Sequence, residues 1–114
     1  MKIFEEIIDD IVVEVVNVPR ATLSESEELK SLVYSKIDNG YKKIIVDLTS
    51  CEFIDSSFLG ALVSTLKRAT KNGGDLKLVG LQPTVRAMFE LTRLFRVFDT
   101  FTELQEAVRS FQSK

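Results

Sequence analysis

The 114-residue chain has no histidine, no tryptophan, one cysteine, two prolines and five glycines. Without histidine there is no imidazole acid–base group, no His-based triad and no His–metal site. A lone Cys51 cannot close an internal disulfide, which suits a reducing cytoplasm, and cannot supply the ligand set of a zinc site. No apolar run approaches the roughly 20 residues that cross a bilayer. The opening Met1-Lys2-Ile3-Phe4-Glu5-Glu6 turns acidic at once and lacks both the apolar core and the small-residue cleavage site of a secretory leader. The phosphate-cradling patterns Gly-x-x-x-x-Gly-Lys-Ser/Thr and Gly-x-Gly-x-x-Gly are missing, and Gly73-Gly74 after Asn72 reads as a turn. These gaps predict a cytoplasmic binding or switch module with no metal, no cofactor and no membrane segment, rather than an enzyme.

What is present describes one compact domain over residues 1–114. The chain is 45% apolar and 28% charged with a net charge of −2, too apolar and too nearly neutral for disorder. The length fits a single core, and there is no repeat, linker or low-complexity tract. Charge is nevertheless uneven. Residues 1–28 carry eight acids against two bases, a net of −6, whereas residues 66–96 carry seven bases against Asp75 and Glu90, a net of +5. Only two aromatics, Phe89 and Phe95, fall among those bases (Lys67, Arg68, Lys71, Lys77, Arg86, Arg93, Arg96). The bases therefore read as a solvated face or a surface for an acidic protein partner, not as a direct nucleic-acid site.

Apolar periodicity orders the elements. The β-branched runs 3–8 and 11–16, joined by Asp9-Asp10, predict a hairpin. Thr22-Leu23-Ser24-Glu25 and Ser24-Glu25-Ser26-Glu27 both have capping-box spacing, and Leu29, Leu32, Val33 and Ile37 then recur helically until Asn39-Gly40. The run Ile44-Ile45-Val46-Asp47-Leu48 reads as an interior strand covered on both faces. Leu59, Leu62, Val63, Leu66 and Ala69 predict a second helix, Leu76-Lys77-Leu78-Val79-Gly80-Leu81 a strand, and Pro83 opens a third helix with Val85, Met88, Phe89 and Leu91 or Thr92 inward. Val97-Phe98 predicts a short strand, and Thr102-Glu103-Leu104-Gln105 a capping box before a last helix with Leu104, Ala107, Val108 and Phe111 inward. The fold class is α/β: a four- to five-stranded mixed sheet with about four helices.

The candidate site is the polar connection Thr49-Ser50-Cys51-Glu52-Phe53-Ile54-Asp55-Ser56-Ser57-Phe58-Leu59-Gly60, between the central strand and the second helix. Open α/β sheets place function in such connections at strand carboxyl ends. One of Asp55, Ser56 and Ser57 caps the helix, and the free N–H groups and dipole there favour an anion by about 0.3–1 kcal/mol. Asp47 at the strand end reads as structural support for the connection, and Cys51 as a packing residue.

Asp47-Leu48 followed by Asp55-Ser56-Ser57-Phe58-Leu59-Gly60 resembles the signature of the STAS-domain anti-sigma factor antagonists. There a strand ending in Asp-Leu leads to Asp-Ser-Ser-Gly-Leu-Gly. Gly73-Gly74-Asp75-Leu76-Lys77-Leu78-Val79 resembles the family's next strand, and Pro83-Thr84-Val85-Arg86-Ala87-Met88-Phe89 through Leu94-Phe95 its next helix. The resemblance runs from about residue 42 to 111 and implies a STAS-like domain. It implies a regulator that binds an anti-sigma factor serine kinase when unphosphorylated, is released when phosphorylated on Ser56, and is restored by a metal-dependent serine phosphatase. Mg²⁺ and ATP would belong to the kinase. Asp55, Ser57, Phe58, Leu59 and Gly60 would then contact the partner. Phe58 stands where the family has glycine, and its ring is expected to add apolar area to that contact. Asn17-Val18-Pro19-Arg20 stands where the family carries Gly-x-Leu-Asp. The rival expectation is a sensor of the same fold that binds a nucleotide or anion reversibly at the second helix without being phosphorylated.

Overall fold

The computed structural model describes residues 2–112. Strands β1 (Ile3–Ile8) and β2 (Ile11–Val16) form the hairpin, paired from Ile3↔Val16 to Ile8↔Ile11. Its turn needs a positive φ, which Asp9 supplies at 56°. Strand β3 (Arg20–Ala21), helix α1 (Leu23–Asp38), β4 (Lys43–Asp47), β5 (Phe53–Ile54), α2 (Ser56–Lys71), β6 (Asp75–Val79), α3 (Pro83–Leu91), a 3-10 turn (Leu94–Arg96), β7 (Asp99–Phe101) and α4 (Leu104–Gln112) follow. The main sheet has the order β1-β2-β4-β6-β7, antiparallel at the hairpin and parallel elsewhere. The small strands β3 and β5 form a separate parallel pair.

The sheet separates two apolar cores. On one face α1, α2 and α3 bury Leu29, Val33, Ile37, Leu62, Val85 and Phe89 against Ile3, Val12, Ile44, Val46, Leu76 and Leu78. On the other, α4 alone covers Ile11, Val13, Ile45 and Val79 with Ala107, Leu104, Val108 and Phe111. The uninterrupted run in β4 follows directly, because Ile44 and Val46 face one core and Ile45 the other. Lys77, on the α4 side of β6, is almost wholly buried: its ammonium donates to the Ser110 hydroxyl at 2.7 Å and lies 4.2 Å from the Phe111 ring centroid. It therefore leaves the basic surface on which the sequence placed it.

Local chemistry sets most boundaries. Of the two capping boxes, Thr22/Glu25 forms: Glu25 Oε1 accepts the Thr22 N–H at 2.7 Å. That bond, with help from the Ser24 hydroxyl and Lys2, holds the Glu25 carboxyl down at about 2. At α4 no Thr102/Gln105 box forms; a single side-chain bond one residue later caps the helix start. The Glu103 N–H donates to Glu106 Oε1 at 3.1 Å, half of the reciprocal pair. The short strand is Asp99–Phe101, not Val97-Phe98. Phe98 is drawn into the core, where its ring meets Phe89 edge-on with centroids 5.5 Å apart, and Val97 is left in solvent. Leu91 and Thr92, one of them expected inward on α3, are both exposed, Leu91 by 84%.

Below α1, Glu14 of β2 is fully buried and stands directly across from Glu5 of β1. Neither of its carboxyl oxygens receives a hydrogen bond. Burial first, then the neighbouring Glu5, pushes its pKa up to about 9. Two carboxylates cannot bond to one another, but a protonated Glu14 can donate to Glu5. Burial alone would raise Glu5, yet the bond from Glu14 and the Lys36 ammonium at 3.1 Å hold it below the ordinary carboxylate range.

Candidate functional site

The connection leaving β4 starts at Asp47, whose Oδ1 accepts from the Thr49 N–H at 2.9 Å and from the Thr49 hydroxyl. Asp47 thus shapes the first bend of the connection and reaches Asp55-Ser56 only through the chain between. Thr49 is held from the other side as well. Gln82 Nε2 donates to its carbonyl at 2.6 Å, and Gly80 packs against it with φ +75°. A Cβ at Gly80 would overlap the Thr49 hydroxyl, so glycine is required there both by conformation and by space.

Beyond Thr49 the chain is clipped to the segment after β2. The N–H groups of Glu52 and Phe53 donate to the Pro19 carbonyl at 2.8 and 3.0 Å, and the Asp55 N–H to the Ala21 carbonyl at 3.1 Å. The Arg20 guanidinium stacks 4.3 Å from the Phe53 ring centroid. Asn17-Val18-Pro19-Arg20, which departs from the family pattern, is therefore the strap that positions the connection. The pair β3–β5 escaped the sequence because two-residue strands have no periodicity to read. Cys51 lies beneath, fully buried, with its thiol directed at the Val16 carbonyl. Burial pushes that thiol up to about 11.

Asp55 is the N-cap of α2, its Oδ1 accepting from the Phe58 N–H at 2.9 Å. Ser56 is therefore the first helical residue, and its side chain is exposed. Its own N–H and that of Ser57 have no intrahelical partner. The first turn carries no acidic side chain while the last carries Arg68 and Lys71, a distribution that matches the helix dipole with an anion at Ser56. Replacing Asp55 by Ala is expected to lower stability by about 0.5–2 kcal/mol through loss of the cap. Urea unfolding checks this: the midpoint falls with the slope unchanged, and an unaltered midpoint contradicts the capping role.

Around Ser56, Gly60 is exposed and Asp55, Ser57 and Leu59 are partly so. Phe58 is a correction: its side chain is fully buried in the larger core and offers no ring to a partner. It starts the inward stripe of α2, which runs Phe58, Ala61, Leu62, Thr65, Leu66 and Ala69, whereas Leu59 and Val63 lie at its margin. Burying such a ring contributes about 1.5–3 kcal/mol, so its place is set by the core.

Among the described residues, no group of three or more cysteine, aspartate or glutamate side chains could hold a metal ion, and no helix is long and apolar enough to cross a membrane.

The STAS domain family model matches residues 6–107. A Thermotoga maritima protein named "Putative anti-sigma factor antagonist" is 32% identical over 108 residues, covering 91% of this chain and 95% of that protein. A crystal structure of such an antagonist from the same organism superposes with a TM-score of 0.87 at 27% identity, over 97% of this chain and 95% of that one. The anti-sigma-B factor antagonist of Staphylococcus aureus is 31% identical over 67 residues, covering 59% of this chain and 62% of its own.

Proposed function

The chain belongs to the STAS-domain family of anti-sigma factor antagonists, and on that premise we propose that it is a partner-switching regulator of transcription controlled by phosphate on Ser56. Unphosphorylated, it binds an anti-sigma factor that is also a serine kinase and so frees a sigma factor. Phosphorylated, it lets go, and a metal-dependent serine phosphatase resets it. The observation that carries this reading is that Ser56 is exposed as the first residue of α2, immediately after the Asp55 cap.

The chemistry asked of this chain is small. The Ser56 Oγ attacks the γ-phosphorus of ATP held by the kinase, its proton passes to a base on the kinase, and ADP leaves. This chain needs only to hold the hydroxyl clear of the core. The strap from Pro19 and Ala21 and the turn built on Asp47 and Thr49 fix the connection that leads into Ser56. Ser57, half-buried beside it, is the weaker acceptor. The phosphate formed carries about −1.5 to −2 charges, and the helix dipole offsets only about 0.3–1 kcal/mol of its cost.

Incubation with the cognate anti-sigma factor and labelled ATP, followed by phosphopeptide mapping, tests the reading. Covalent label on Ser56, absent from a Ser56→Ala chain, is expected. Label on Ser57 alone would move the switch off Ser56, and reversible nucleotide binding without label would instead favour the sensor of the same fold.

A further inference from the structure

Between the second half of α2 and the 3-10 turn lies a groove of about 500 Å³, lined by Val63, Leu66, Lys67, Thr70, Leu94 and Val97, with Asp75 at its end. Its α2 residues come 7 to 14 positions after Ser56. At 1.5 Å per residue that sets it about 10–20 Å along the helix from the phosphate site. The floor is apolar, and the adjoining segment is unusually so for a surface. Leu91 is 84% exposed, Phe95 51% and Val97 56%. Single exposed apolar side chains are ordinary, but here three fall within seven residues, of which Val97 lines this groove and Phe95 the neighbouring cavity.

The rim has the opposite character. Lys67, Lys71 and Arg93 have no acidic partner among the described residues, and Arg96 only overhangs the ring of Phe95. The one acid at the groove, Asp75, accepts its own neighbour's N–H from Leu76 at 2.8 Å. Arg68, by contrast, is engaged, bonded to Asp38 at 3.2 Å and stacked on Tyr34. Lys67 lines the groove itself, Lys71 stands one helical turn further along α2, and Arg93 and Arg96 adjoin the lining residues Leu94 and Val97 in the chain, whereas Arg86 lines a different cavity.

We propose that this groove is a second docking surface, separate from Ser56, for an acidic amphipathic segment of a protein partner. Apolar side chains of the segment fill the floor between Val63, Leu66, Leu94 and Val97, and its carboxylates pair with Lys67, Lys71, Arg93 and Arg96. Opposite charges on the two surfaces speed the encounter and fix the register. A nucleic-acid backbone would satisfy the cations but leave the floor empty.

The test is fluorescence anisotropy with the whole chain and a short labelled helical peptide carrying leucines at i, i+3, i+4 and i+7 and glutamates elsewhere. Binding with a Kd on the order of 10–100 µM is expected. It should weaken about tenfold in Val97→Asp, an exposed position that spares the core, and again in the double variant Lys67→Glu, Lys71→Glu. A Ser56→Asp chain should bind the peptide as the parent does, which keeps this result independent of the phosphate switch. Four outcomes overturn the proposal: equal binding of a peptide with lysines for glutamates, indifference to both groove variants, a duplex oligonucleotide that competes through Lys67 and Lys71, or self-association of the chain that Val97→Asp abolishes.

Discussion

A Ser56→Asp chain is expected to lose measurable affinity for the anti-sigma factor while remaining folded, and Ser56→Ala is expected to bind as the parent does without accepting phosphate. The magnitudes separate the two effects. Within the domain, a carboxylate at the first residue of α2 meets free N–H groups and the positive end of the helix, a gain of about 0.3–1 kcal/mol. Nothing there unfolds the protein. At an interface the same charge loses its water without a counter-cation, at a cost of several kcal/mol. Each 1.4 kcal/mol is about tenfold in Kd, so a loss of 100-fold or more follows. Isothermal calorimetry with the purified cognate partner reads this directly, with thermal melts as the control for folding. Binding of the aspartate variant at parental strength would remove local charge as the switch.

The second large effect concerns stability. Glu14 is fully buried with its pKa raised to about 9 by burial and by Glu5, and it faces Glu5 on β1 and Lys36 and Glu28 on α1. In the unfolded chain it titrates near 4.5. Above that pH the unfolded state gives up a proton that the folded state keeps, so stability falls as pH rises towards the folded pKa. The contribution is complete below the unfolded value and is gone above the folded one. Glu14→Gln keeps a donor for Glu5 and does not titrate. The difference in unfolding free energy between parent and Glu14→Gln should therefore shift by about 2–3 kcal/mol in favour of the variant from pH 5 to pH 7. Urea titrations of both chains at the two pH values measure it. Parallel pH profiles for the two chains would mean that Glu14 is ionised in the folded protein.

Much of this architecture was legible in the residues. The continuous apolar run of β4, the Thr22/Glu25 box and the Asn72-Gly73-Gly74 stop each speak through local chemistry, and each lies where the sequence put it. The aspartate before Ser56 was one of three candidate caps, and only the bond to the Phe58 N–H selects it. Phe58 could not be placed from the motif, because a residue at a helix start can point either way until the rest of the stripe is packed. The strap at Pro19 and the Glu14–Glu5–Lys36 cluster are long-range facts. They depend on which strand lies beside which, and no local pattern carries that. Lys77 misled for the same reason: its charge suggested water, and the Ser110 hydroxyl with the Phe111 ring offered it an interior.

The single sulfhydryl of the chain is sealed beneath the strap, with its pKa near 11. At neutral pH only about one molecule in ten thousand would carry the reactive sulfur anion, even before access is considered. Peroxide or glutathione disulfide would find no reactive thiolate at Cys51. On the switch proposed above, an oxidative signal would therefore have to act through the enzymes that write and erase the Ser56 phosphate.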